Sequence, residues 1–141
     1  MTWLVDTNVL SELRKAGRMD PGVRTWIDGI DESNLYTSVL VFGEIRRGIE
    51  RLRRRDPTAA GAIEAWLTRM RQRFGARILP VDARVAERWG GLGVPNPVPT
   101  LDGLLAATAL EHGLTLVTRN TRHVVSTGVA TLNPFAADTQ S

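Results

Sequence analysis

The chain has 141 residues, of which 43% are hydrophobic, and it carries a formal net charge of +3. This length suits one compact domain with a substantial core. The absence of cysteine excludes a disulfide framework, a zinc–thiolate site and a cysteine nucleophile. Two histidines, His112 and His123, are too few for a histidine-rich metal site.

Neither a membrane span nor a signal peptide is predicted. No apolar run approaches the roughly 20 residues that a membrane helix needs. Near the N-terminus, Asp6 interrupts the apolar run that a signal peptide would require. We therefore expect a soluble cytoplasmic protein.

The first part of the chain predicts two strands, each followed by helices. In order, the predicted elements are a strand at 2–6, a helix at 7–16 ended by Gly17, a helix at 21–30, a strand at 35–38 and a helix at 39–55. In the last of these, Phe42, Ile45, Ile49 and Leu52 follow the spacing of a core-facing stripe. Glu44 then lies on the flank of this stripe, about 120° from its centre.

The rest of the chain continues the alternation of strands and helices. A helix at 58–74 ended by Gly75 is followed by a strand at 78–81 and by a helix that is capped by Asp82 and stopped by Gly90-Gly91. A proline-rich loop at 93–100 leads to an apolar helix at 101–112, which is capped by Thr100 and ended by Gly113. The last predicted elements are a strand at 114–118, a loop or turn at 119–122 and an edge strand at 130–132. Such alternation predicts an α/β fold with a small parallel sheet flanked by helices on both faces. We expect one domain over residues 1–135 and a flexible tail over 136–141.

Three acids occupy positions that this fold would bring together. Asp6 ends the first strand, Glu44 lies in the helix after the second strand, and Asp102 opens the apolar helix. Ligands bind at the carboxyl ends of parallel strands, so one shared cleft is expected. Converging carboxylates repel one another and resist ionising together. Because a bound divalent cation relieves that repulsion, the three acids predict a metal site.

Each acid also has a purely structural interpretation. Asp6 could cap the helix that follows it, and Asp102 could complement a helix dipole. Glu44 could pair with Arg47 or Arg51 on an exposed helix face. The joint placement of the three acids favours the metal site over three independent structural roles.

Other chemistries fit the sequence less well. A serine–histidine–aspartate triad needs a histidine near a nucleophile, and neither histidine has an obvious serine partner. Gly90-Gly91-Leu92-Gly93 precedes a proline-rich loop instead of a helix with a lysine, so it is not a phosphate-binding loop. A phosphoaspartate receiver would need a second acid beside Asp6 and a late lysine, yet no lysine follows Lys15.

Arginine dominates the basic residues. Of the 18 basic side chains, all but Lys15 are arginine, and they cluster at positions 46, 47, 51, 53, 54 and 55 and again at 69, 71, 73 and 77. Clustered arginine attracts polyanions and pairs well with phosphate. A solvated helix face explains the same run equally well.

Four segments in register resemble a known family. LVDTNVLSEL, TSVLVFGEIRRGI, PTLDGLLAATALEHGLTLVTRN and LNPF resemble PIN-domain ribonucleases over essentially the whole chain. The resemblance is closest to VapC-type toxins of toxin–antitoxin pairs, in the subgroup that includes FitB-like proteins. It implies a three-layer PIN-like fold and an endoribonuclease that hydrolyses RNA phosphodiester bonds with Mg²⁺, or with Mn²⁺.

The resemblance also implies roles for particular residues. Asp6, Glu44 and Asp102 fall on the family's catalytic, metal-binding acids, and Asn120 falls on a further polar catalytic position. His123 stands where many relatives have aspartate, so the choice between one and two metal ions stays open; His123 itself is expected at the surface, in support of the acids, or in reach of Mn²⁺. The residues expected to hold the carboxylates, or else to serve in turns and caps, are Thr7, Asn8, Ser38 and Thr118. The residues expected to contact RNA or a partner are Arg14, Arg53, Arg54 and Arg55.

Partners follow from the resemblance as well. It implies an RNA substrate, a cognate VapB-type antitoxin, a homodimer, and a heterotetramer or larger assembly with the antitoxin. The arginine cluster at 46–55 is expected to bind RNA phosphates or an acidic antitoxin tail. Two alternatives stay open: a catalytically weak RNA- or partner-binding module on the same fold, which the missing fourth acid favours, and a nuclease that cuts DNA.

Overall fold

The computed structural model describes residues 1–136 and contains a five-stranded parallel sheet with seven α-helices. The strands are β1 (Trp3–Val5), β2 (Leu35–Ser38), β3 (Ile78–Leu79), β4 (Thr115–Val117) and β5 (Thr131–Leu132). The helices are α1 (Thr7–Leu13), α2 (Pro21–Asp28), α3 (Val39–Arg53), α4 (Pro57–Phe74), α5 (Ala83–Leu92), α6 (Thr100–His112) and α7 (Thr121–Val124). Apart from Ala136, the tail predicted at 136–141 lies outside the described residues.

The strand order is β3-β2-β1-β4-β5, with β1 at the centre and every neighbouring pair parallel. The chain moves outward through β2 and β3, then returns to the other side of β1 for β4 and β5. Right-handed crossovers place the helices before and after this reversal on opposite faces of the sheet. The α/β fold with helices on both faces is therefore confirmed.

The reversal of strand order at β1 marks the place where a ligand site is expected. In a parallel sheet, a crevice forms where the order of successive strands reverses. It lies beside the carboxyl ends of the two strands that flank this point. Here those strands are β1 and β4, which pair in register from Trp3 with Thr115 to Val5 with Val117. The residues that follow them, Asp6 and Thr118, are both buried at this edge.

The core lies between the sheet and its two helical layers. The central strands contribute Leu4, Val5, Leu116 and Val117, each at most 1% exposed. Short strands of this kind, apolar on both faces, are typical of a parallel sheet that is covered on both sides. The core therefore fixes the direction in which β1 and β4 deliver the next residues.

Several predicted boundaries are wrong. Three elements end earlier than predicted: α1 at Leu13 instead of 16, α3 at Arg53 instead of 55, and β3 at Leu79 instead of 81. α5 does not stop at Gly90-Gly91 but continues to Leu92, because a helical glycine costs only about 1 kcal/mol and the helix is held by packing against α6. Thr100 lies inside α6, and the preceding Pro99 makes no side-chain cap. The loop predicted at 119–122 gives way to α7 at Thr121.

The contact between α5 and α6 depends on a residue without a side chain. A Cβ at Gly103 would lie 3.0 Å from Cδ1 of Trp89, so glycine allows the indole to lie against α6.

Within residues 1–136, no helix combines the length and the apolar character required to cross a membrane.

Candidate active site

Asp6 joins the ends of the two central strands. Its backbone N–H donates to the carbonyl of Val117 at 2.9 Å. In its side chain, Oδ1 accepts from the backbone N–H of Thr7 at 2.6 Å, and Oδ2 accepts from the hydroxyl of Thr118 at 2.7 Å. Asp6 therefore caps α1, as its structural interpretation proposed, while its carboxylate is also held at the edge of the crevice.

Glu44 approaches Asp6 through a shared neighbour. From its half-buried position on α3, its Oε1 accepts from the hydroxyl of Thr7 at 2.6 Å. This contact stands in place of the exposed pairing with Arg47 or Arg51. Thr7 consequently contacts two acids, Asp6 through its main chain and Glu44 through its side chain.

Asp102 approaches from the opposite helical layer. It lies in the first turn of α6 with 17% of its side chain exposed. Its Oδ2 lies 3.0 Å from Nδ1 of His123 on α7. A histidine that donates through Nδ1 to a carboxylate keeps Nε2 available for another contact. His123 therefore lies directly beside an acid.

The three acids interact electrostatically. Burial raises the pKa of the Asp6 carboxyl above its ordinary value, and the negative charges of Glu44 and Asp102 raise it further. The hydrogen bonds from Thr118 and Thr7 oppose this rise without cancelling it. The fold therefore holds Asp6 in surroundings that disfavour its charged form.

The acids do not form a complete metal cage. Within residues 1–136, no three carboxylate or imidazole side chains are arranged closely enough to hold an ion together. The donors nevertheless fit a hard divalent cation, because they are carboxylate oxygens around one uncompensated acid. Mg²⁺ needs only one or two direct carboxylates and keeps several waters. The residues present therefore fit a hydrated divalent cation that takes few direct carboxylates.

The remaining predicted polar residues organise the loops around the acids. Asn120 donates its backbone N–H to the hydroxyl oxygen of Thr118 at 3.0 Å. The Oδ1 of Asn8 accepts from the backbone N–H of Arg119 at 3.2 Å. Ser38 caps α3 by accepting from the N–H of Leu40 at 3.0 Å. Among the four residues expected to hold carboxylates, the observed contacts to acids come from Thr7 and Thr118.

The arginine cluster divides into two groups. Arg53 pairs with Glu50 at 3.0 Å and with Glu64 of α4 at 3.1 Å, and Arg46 pairs with the same two acids. Sequence reasoning missed this network. The i,i+3 and i,i+4 spacing to Glu50 was a visible signal for half of it, whereas Glu64 required the packing of α3 on α4. The arginines that follow Arg53, at 54 and 55, are exposed.

Arg14 lies away from the acids, on the rim of an open groove of about 510 Å³. The groove lies between α1, α2 and α4, and its floor is apolar. It is lined by Leu13, Arg14, Met19, Ile27, Ile30, Glu32, Leu35, Trp66, Arg69, Met70, Arg73 and Phe74. None of the three acids lines it, so this groove and the acidic crevice are separate surfaces.

Comparison with known proteins assigns the chain to a family. Residues 3–125 match the model of the PIN domain. The chain is 30% identical over 139 residues to Toxin FitB of Neisseria gonorrhoeae, covering 94% of this chain and 97% of that protein. It is also 30% identical over 139 residues to VapC ribonuclease Y4jK of Sinorhizobium fredii, covering 94% and 96%.

Similarity extends to solved structures. The crystal structure of FitAcB from Neisseria gonorrhoeae superposes with a TM-score of 0.86 at 29% identity, covering 94% of this chain and 98% of the other. Sequence and fold therefore agree over nearly the same span.

Proposed function

The chain belongs to the PIN-domain family, and on that basis we propose that Asp6, Glu44 and Asp102 form the active site of a metal-dependent endoribonuclease, the toxin of a toxin–antitoxin pair. The observation that carries this proposal is the buried Asp6 carboxylate, which two further acids approach from different helical layers. Relatives of nearly the same length are named Toxin FitB and VapC ribonuclease. Their names support the same activity here.

Asp6 and Asp102, with Glu44, would hold one Mg²⁺ or Mn²⁺ ion. When bound, a divalent cation supplies an activated water near neutral pH and neutralises charge that develops on the attacked phosphate. The all-oxygen donor set suits either ion. Asn120 would contribute a neutral amide to the site, whereas an acid at this position would add a further negative charge.

The chain's own residues position this chemistry. Thr7 fixes the relative placement of Asp6 and Glu44, because it donates to both. Thr118 fixes the second oxygen of Asp6 and orders Asn120. His123 fixes one oxygen of Asp102. Groups held in this way cost little reorganisation when substrate arrives.

The antitoxin would use a different surface. The solved FitAcB structure is named for more than one component, and we propose that this chain likewise binds a VapB-type antitoxin, as a homodimer in a larger assembly. The apolar floor and arginine rim of the groove between α1, α2 and α4 suit an amphipathic segment with acidic residues.

Purified protein is expected to cleave RNA in a metal-dependent manner. Total bacterial RNA incubated with the protein and Mg²⁺ or Mn²⁺ should give discrete fragments on a sequencing gel, and chelator should abolish them. A parallel incubation with single-stranded DNA tests the alternative of a DNA nuclease. Cleavage that persists in chelator would contradict the proposal.

A second function is favoured by one observation. Because no three metal-binding side chains are assembled in residues 1–136, the fold also suits a module that binds RNA without cutting it. Retention of RNA on a filter, without fragments under any metal condition, would support this second function over the first.

Replacement of His123 is expected to loosen metal binding. His123→Ala removes the contact to Asp102, and partners that orient a ligand typically contribute 10- to 100-fold in metal affinity. We expect about tenfold weaker Mn²⁺ binding, measured by the electron paramagnetic resonance signal of free Mn²⁺. The exposed neighbour Arg122→Ala is the matched control and should bind Mn²⁺ as the wild type does. Equal affinity in both variants would remove His123 from the site.

A further inference from the structure

One face of α3 carries arginines that the ion-pair network does not use. Arg46 and Arg53 are occupied by Glu64 on the side of α3 that faces α4. Arg47 and Arg51 are exposed and, as far as the described residues extend, make no ion pair. The arginines that are paired with acids and those that are not, here called uncompensated, therefore lie on different sides of α3.

The uncompensated arginines share a face with the active-site acid. At about 100° per residue, Arg51 lies about 20° from Glu44 around the helix, and Arg47 lies about 60° from it. Along the axis, at about 1.5 Å per residue, Arg51 lies about 10 Å beyond Glu44. The positive charges thus form a line that leads away from the acids.

The helix surface between Glu44 and Arg51 is open at one glycine. Gly48 lies about 40° from Glu44 on the same face, and a Cβ there would meet nothing within 4 Å. Gly43, in the preceding turn, is equally exposed and open. Glycine inside a helix is less stable than alanine, and no neighbouring atom requires it here. The backbone at Gly48 is therefore uncovered, although no packing contact requires glycine there. We call this uncovered surface the passage.

We propose that Arg47, Gly48 and Arg51, here called the α3 track, bind the sugar–phosphate backbone of single-stranded RNA and lead it to the acids. This inference rests on the proposed ribonuclease function. Arg54 and Arg55 follow directly and extend the positive charge. A groove of fixed positive charge that follows the backbone is how proteins bind single strands without sequence preference.

The composition of the α3 track favours RNA over a protein partner. A protein segment obtains its affinity from apolar and aromatic anchors in pockets, and the α3 track contains none. Like charges four residues apart, as at Arg47 and Arg51, destabilise an isolated helix. The negative charge of a polyanion offsets that repulsion, and each phosphate contact also releases counterions bound to the nucleic acid.

The test compares two double variants with equal loss of charge. R47Q/R51Q removes the α3 track, whereas R18Q/R71Q removes two exposed arginines elsewhere. Binding of a fluorescein-labelled single-stranded RNA of about 12 nucleotides, a length within the range of known single-strand sites, is measured by anisotropy in chelator at several salt concentrations. We expect R47Q/R51Q to bind at least about tenfold more weakly, with a salt slope reduced by about 1.4, or 0.7 for each lost phosphate contact. R18Q/R71Q should match the wild type.

A second variant tests the bare surface without changing charge. Gly48→Leu places a bulky side chain in the passage while improving helix propensity. It should weaken RNA binding several-fold while its melting temperature equals or exceeds that of the wild type, and Gly48→Ala should bind RNA normally. Normal RNA binding by Gly48→Leu would contradict the passage.

The remaining outcomes separate this inference from the proposed function. Wild-type RNA affinity and KM in R47Q/R51Q overturn the α3 track alone, and metal-dependent cleavage by the wild type would still stand. Loss of polyglutamate binding with unchanged RNA affinity assigns the face to an acidic protein and overturns the track. A changed oligomeric mass in R47Q/R51Q, by light scattering, assigns it to contact between copies and overturns it as well.

Discussion

Asp6→Asn is expected to reduce metal-dependent RNA cleavage by about 10²- to 10⁴-fold, the range that positioned acid–base and electrostatic groups contribute. The amide keeps the shape of the side chain but removes its charge. Asp6 is buried, and it interacts with two other acids. A cation in the crevice would therefore be stabilised by its charge, which the amide lacks. The measurement is the initial rate of RNA cleavage at saturating Mn²⁺.

The same variant should remain folded. Asparagine is as good a helix cap as aspartate, so the cap of α1 is retained. Burial and neighbouring acids raise the pKa of Asp6, which means that its charge destabilises the metal-free fold. In chelator, Asp6→Asn should therefore melt at the same temperature as the wild type or higher. Added Mn²⁺ should raise the melting temperature of the wild type more than that of the variant.

Two further variants make the result decisive. Asp102→Asn should lose cleavage in the same way, since it removes a second acid from the same crevice. Glu12→Gln changes another buried carboxylate, which instead pairs with Lys15 at 2.9 Å, and it should cleave normally. Full metal-dependent activity in Asp6→Asn or Asp102→Asn would show that the site has been placed wrongly.

Gly22→Ala is expected to produce the largest loss of stability. A Cβ at Gly22 would lie 2.2 Å from the carbonyl oxygen of Pro134 and 2.5 Å from the backbone N of Ala136. Both are backbone atoms, which cannot rotate away as a side chain can. Either α2 or the segment at 134–136 must move, and overpacking of this kind costs about 1–3 kcal/mol or more.

Movement of that segment would also break hydrogen bonds. The Oδ1 of Asp20 accepts from the backbone N–H of Gly22 at 2.9 Å and from that of Ala136 at 3.0 Å. Thermal unfolding should show a fall of several degrees, at about 2–8 °C per kcal/mol for a chain of this size. Gly61→Ala, in α4 with nothing within 4 Å of a new Cβ, is the matched control and should be neutral or stabilising. Equal melting of the two variants would mean that α2 tolerates the displacement.

Local patterns were sufficient to predict most elements of the fold. β2 was predicted with the observed bounds, Leu35–Ser38, because an apolar and β-branched run ends at a helix-capping serine. The end of an apolar run predicts Asp6 as the last residue of the first strand, and the structure has it one residue later, directly after β1. The alternation of elements predicted a parallel sheet, but it does not encode the order of the strands, and this order puts β1 beside β4.

The parts that were not predicted depend on tertiary packing. α5 continues through two glycines because its contact with α6 outweighs their weak helix preference. The contact between His123 and Asp102 joins residues on different helices, so no local pattern reports it. Likewise, the division of the arginine cluster depends on Glu64, which lies one helix further along the chain.

The central position of β1 has a consequence for biosynthesis. β1, at Trp3–Val5, acquires its neighbour β4 only after residue 117 has been made. The hydroxyl that holds Oδ2 of Asp6 belongs to Thr118, the next residue. A nascent or truncated chain that lacks β4 and Thr118 therefore lacks one of the two hydrogen bonds to the Asp6 carboxylate. For a nuclease translated amid the RNA that it would attack, we expect no cleavage from a nascent chain until synthesis has passed Thr118.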